Sequence, residues 1–139
     1  MLKTIRTVHQ INAPAPKLWS NISKASGVDA WLPVIKSCRL TGIGLGASRI
    51  CISEQGELTE KILEIDPHKR VFRYAVEKQP FFPITDIVGT MTVAGDEKKA
   101  QLSWDLSFHL NDESMFPMIK QAIEGMYQAG AQGLETISK

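Results

Sequence analysis

The sequence is poor in several things that would have settled its function at once. Lys+Arg 16 against Asp+Glu 15 leaves a formal charge of +1, so it lacks the basic excess of a nucleic-acid module or of a polybasic membrane-surface protein. No apolar run approaches the roughly 20 residues that a membrane-spanning helix needs. The first residues, Met1 to His9, contain no continuous apolar stretch of the kind a secretory signal carries; a cytoplasmic chain without integral membrane association is expected. There are 2 cysteines, Cys38 and Cys51, at a spacing that fits neither a zinc site nor a redox motif. Two free, buried thiols are therefore expected. His9, His68 and His109 lie too far apart for a metal site, and no nucleophile-elbow motif occurs. No metal or cofactor is expected. Gly42, Gly44 and Gly46 are followed by a strand pattern rather than a helix, so they read as turn residues and not as a phosphate cradle.

What is present is an ordinary globular composition: 139 residues, 43% hydrophobic and 22% charged. That length is one domain's worth and can bury a core unaided. With no linker or repeat, residues 1–139 are expected to form a single domain, a monomer or a homodimer.

The chain opens with a strand pattern over Lys3 to Ile11, followed by a short helix over Pro16 to Ile22 and a second over Val28 to Leu32. Six strand patterns follow, at residues 34–41, 48–53, 57–65, 71–77, 85–94 and 102–110. The last is the clearest, with Leu102, Trp104, Leu106, Phe108 and Leu110 alternating against Ser103, Asp105, Ser107 and His109. Residues 112–138 read as one long helix with an apolar stripe of Ile119, Ile123, Met126, Gly130 and Ile137. Short turns between the six strands imply an antiparallel meander, and only the terminal helix is long enough to cover its apolar face. The fold class is α+β, in the order β-αα-ββββββ-α.

This order, together with the residues at its junctions, resembles the superfamily of START domains, polyketide cyclases and the birch-pollen allergen (the SRPBCC or helix-grip fold). More narrowly it is similar to the polyketide cyclase/dehydrase and lipid-transport branch. The residues that carry the likeness are Ala13-Pro14-Ala15 with Leu18-Trp19, then Trp31-Leu32-Pro33, then Gly44, Gly46 and Arg49, then Glu60, then Asp66-Pro67 with Arg70 and Tyr74, and finally Gly89 and Trp104. The resemblance implies a curved antiparallel sheet wrapped around the C-terminal helix, with an internal cavity between them. It implies binding of a small, largely hydrophobic molecule there: a lipid, a polyketide-like compound or another apolar metabolite. The alternative it implies is a cyclase/dehydrase-type enzyme with a cavity acid or base. Fold alone does not separate the two.

Ile35-Lys36-Ser37-Cys38 further resembles the segment of plant abscisic-acid receptors whose lysine meets a carboxylate, and Thr59-Glu60 resembles their cavity glutamate. The receptors' gate and latch sequences are absent, so hormone reception is not implied; an inward Lys36 facing Glu60 is. By strand pattern alone both side chains would point to solvent. Trp31, Phe72, Tyr74, Met91, Trp104, Phe108, Ile119, Ile123 and Met126 complete the candidate cavity lining, with wall and core residues not separable by pattern.

Overall fold

Alternating apolar residues and glycine- or proline-marked turns give seven antiparallel strands in the computed structural model, which describes Met1–Lys139. They are β1 (Leu2–Ile11), β2 (Ile35–Thr41), β3 (Ser48–Ser53), β4 (Glu57–Asp66), β5 (Val71–Lys78), β6 (Ile84–Gly95) and β7 (Ala100–Leu110). The sheet order is β1-β7-β6-β5-β4-β3-β2, a meander whose first strand pairs with its last. The register slips within β2, β4 and β6. Such irregularities bend a sheet and increase its twist, which lets this one curl around a helix.

Helix α1 (Ala15–Ser23) and a 3-10 turn at Val28–Ala30 fill the crossover from β1 to β2. Helix α2 (Phe116–Ser138) has 23 residues, about 35 Å at the usual rise. It is shorter than the sequence suggests because residues 113–115 form a separate 3-10 turn, capped by the Asp112 carboxylate accepting from the Ser114 amide at 3.1 Å. The inward face of α2 carries Ile119, Ile123, Tyr127, Gly130, Ala131 and Leu134. Ile137, expected in that stripe, is 37% exposed, because the buried face advances by four and three residues through Tyr127 and Leu134 instead. Gly133 matters here: a Cβ would overlap the Trp31 carbonyl, so only glycine lets the helix lie against that segment.

The expectation of free thiols is overturned. Cys38 and Cys51 stand directly opposite one another in the β2–β3 register and are joined as a disulfide. Their spacing of 13 residues fits no metal or redox motif, but the hairpin at Gly42–Gly46 folds the chain so that the two inward-pointing Cβ atoms meet.

Candidate functional site

Helix α2 packs chiefly on β1 and on α1. The concave faces of β3 to β6 are therefore only partly covered, and a pocket of about 80 Å³ lies there. Its floor is Arg49 and Leu58 with Glu60, Tyr74 and Val76; Met91, Trp104 and Leu106 extend it along β6 and β7. Ile123, Met126 and Tyr127 of α2 roof it, Val28, Trp31 and Leu32 close one side, and Phe81 and Phe82 of the β5–β6 loop close another. Of 19 lining residues 16 are hydrophobic; the exceptions are Arg49, Glu60 and Gln79.

Arg49 and Glu60 face each other across β3 and β4 and are 5% and 6% exposed. Both Arg49 Nε (2.7 Å) and Nη2 (2.6 Å) reach one oxygen, Glu60 Oε1. The third guanidinium nitrogen, Nη1, donates to the Ala25 carbonyl at 3.0 Å. Ala25 has φ 64, a left-handed conformation unfavourable for a residue with a Cβ; it turns the carbonyl-bearing segment toward the arginine, a local strain of the kind that gathers at functional sites. The guanidinium also lies over the rings of Phe72 (5.5 Å) and Tyr74 (5.4 Å). These contacts supply in place of water what a buried ion pair needs.

Tyr74 is set by its neighbours. It lies opposite Gly89 in the β5–β6 register, and a Cβ on Gly89 would overlap the phenol ring. The ring therefore crosses β6 because residue 89 has no side chain. Its hydroxyl accepts from Trp104 Nε1 at 3.0 Å. Trp104 stacks on Tyr127 with centroids 3.8 Å apart and meets Trp31 edge-on at 5.8 Å. Burial pushes the Tyr74 phenol up to about 12, with the Glu60 charge adding to the rise. Burial raises Tyr127 well above its ordinary value too. Both phenols thus stay protonated at neutral pH; they can donate hydrogen bonds but not act as bases. Trp31 Nε1 is fully buried without an acceptor, an unmet donor in the pocket wall.

The Phe81–Phe82 loop is held by one side chain. Gln79 Oε1 accepts from the amides of Phe81 (2.7 Å) and Phe82 (2.9 Å), while Gln79 Nε2 donates to the Phe82 carbonyl at 2.6 Å.

Of the residues singled out in the sequence, Glu60, Trp31, Tyr74, Met91, Trp104, Ile123 and Met126 line the pocket. Phe72, Phe108 and Ile119 do not; each is wholly buried in the core. Lys36 is a correction. Its side chain is 60% exposed and pairs with Glu54 at 3.3 Å, away from Glu60. In a regular strand it would share the inward face of Cys38 and Leu40, but the register slip between Ile35 and Ser37 turns it outward. The residue that sequence reasoning missed as the partner of Glu60 is Arg49. The signal was available: a turn at Gln55–Gly56 brings residues whose numbers sum to 109, among them 49 and 60, opposite each other.

The family model for polyketide cyclase / dehydrase and lipid transport matches residues 3–138. The chain belongs to that family. Among solved structures it is similar to one from Thermobifida fusca, with 25% identity, TM-score 0.82, and 95% of this chain and 90% of that one covered. A Bacillus thuringiensis protein has 22% identity and TM-score 0.79 over 96% and 97% of the two chains. Norcoclaurine synthase from Thalictrum flavum, solved in complex with dopamine and hydroxybenzaldehyde, shares the fold at 16% identity, TM-score 0.78, over 99% and 86%. No curated protein matches the chain in sequence. No helix is long and apolar enough to cross a membrane.

Proposed function

We propose that this family member binds a small, largely apolar molecule in the pocket between the sheet and α2, acting in the cytoplasm as a monomer or homodimer. In a reducing compartment the Cys38–Cys51 bond would be open to reduction. The observation that carries the binding reading is a partly covered sheet face with 16 hydrophobic residues around one buried charge pair. Apolar walls drive capture at about 25 cal/mol per Å² buried, and a few fixed polar groups orient what is captured.

Size qualifies the ligand. About 80 Å³ is well below the roughly 300–1,000 Å³ of drug-sized sites, so a lipid-sized molecule requires the walls to move, and the Phe81–Phe82 loop is one wall outside the sheet and helices. The Gln79 bonds to Phe81 and Phe82 hold that loop in one internal shape.

The test is titration with 1-aminoanthracene, a neutral apolar fluorophore, against the protein and a Val76→Phe variant that fills the half-buried rim of the pocket. Saturable binding that falls at least tenfold in a variant retaining its thermal melt supports the reading. Binding unchanged by the filled pocket, or no saturable binding at all, refutes it.

A further inference from the structure

The hydrogen-bond inventory of the ion pair points to the kind of polar group a ligand brings. Arg49 is the only cation among the lining residues and Glu60 the only anion. Arg49 Nε donates to Glu60 Oε1, Nη2 lies against the same oxygen and Nη1 donates to the Ala25 carbonyl; Glu60 balances the arginine's charge, although further guanidinium N–H groups make no bond within the chain. Glu60 uses one oxygen for both contacts, and Oε2 makes no hydrogen bond within the chain. Nor is Oε2 sealed in the core, because Trp31 Nε1 is the one fully buried side-chain polar atom without a partner. The pocket thus presents one unbonded carboxylate oxygen, and its one positive charge is already balanced by Glu60. Lys36, the cation that could have received an acid, lies outside with Glu54.

We infer that the ligand is a neutral hydroxyl-bearing apolar molecule, an alcohol or a phenol, whose O–H donates to Glu60 Oε2, and that carboxylates are excluded. The inference rests on the proposed binding function and sharpens it. A carboxylate in this pocket would give up its water without gaining a counter-charge, and would face the free oxygen of Glu60. A neutral molecule with no donor would leave Oε2 without the partner it loses when water is displaced. A hydroxyl meets both conditions, and the buried charges stay balanced.

The experiment uses three probes on one skeleton: 4-propylphenol, 4-propylanisole and 4-propylbenzoate. Each is titrated into the wild-type protein at pH 7 by calorimetry, with the Trp104 indole N–H followed by NMR to place the probe. The phenol is expected to bind at least tenfold more tightly than either of the others. Glu60→Gln then frees Arg49 of its counter-charge, and the preference for phenol over benzoate is expected to shrink at least tenfold. Should that variant fail to fold, the wild-type ranking decides alone. Benzoate or anisole binding as tightly as the phenol overturns the hydroxyl assignment and leaves the binding function standing. No probe binding at the pocket overturns both.

Discussion

The two halves of the sheet's concave face are built from the same alternating pattern and end in different states. Under α2, β1 and β7 bury Ile5, Leu102, Phe108 and Leu110 against Ile119 and Leu134, each at most 1% exposed. Along the edge of α2 formed by Ile123, Met126 and Tyr127, β3 to β5 direct Arg49, Glu60 and Tyr74 inward, and a pocket remains. One helix about 10 Å across cannot cover seven curved strands. The half it misses must be filled by other means, here by the 3-10 turn, the Phe81–Phe82 loop and a charge pair held by aromatic rings. Close packing specifies most of the first half, where Thr7 and His9 are a buried hydrogen-bonded exception on β1; a hydrogen-bond network around an ion pair specifies the second.

Truncating one side chain in each half sharpens this contrast most. Phe108→Ala is expected to cost about 3–5 kcal/mol, since its surroundings are close-packed. Val76→Ala, at the half-buried rim of the existing pocket, should cost under about 1 kcal/mol. Urea melts of both variants measure the difference, and equal losses would break the comparison.

The next effect is spectroscopic. The chain's 2 tyrosines, Tyr74 and Tyr127, both sit at the pocket. Phenolate absorbance should be absent from the folded protein at pH 10.5 and appear near the ordinary midpoint, about 10, once the chain is unfolded. Because the folded value of Tyr74 is raised to about 12, its contribution, roughly 3 kcal/mol by linkage, is fully present below pH 10 and is lost as the pH climbs toward 12. Tyrosine ionising at its ordinary pH in the folded state would mean that the network is solvated.

The smallest effect belongs to the dry half. Burial lowers the pKa of His9 below 6.5, so the unfolded chain binds the proton more readily. The stability this gives is present above pH 6.5 and fades as the pH falls through the folded value. His9→Gln should flatten that slope in melts between pH 7 and pH 5; an unchanged slope would place its origin elsewhere.

The dry half was legible in the sequence because strict alternation over 102–110, with Gly and Pro at the turns, fixes which face is buried. The pocket half was less so. Glu60 and Tyr74 could be named, but Lys36 was set inward by a likeness that no pattern could check. One register slip between Ile35 and Ser37 reverses its direction, and sequence carries almost no mark of such a slip. Tyr127 escaped notice because the α2 stripe was followed through Met126 and Ile137, when its buried face runs through Tyr127 and Leu134. The cysteines were judged by motif spacing, whereas hairpin register brings them together.

The central claim, that a buried Arg49–Glu60 pair organises the uncovered half, is tested most directly by a double-mutant cycle of Arg49→Met and Glu60→Leu in denaturant melts. Arg49→Met alone strands the Glu60 charge and is expected to cost about 3–5 kcal/mol. The double variant should cost much less, giving a coupling of at least about 2 kcal/mol, while Lys36→Met, the surface control, stays within about 0.5 kcal/mol. Single losses that simply add to within about 0.5 kcal/mol would contradict the claim.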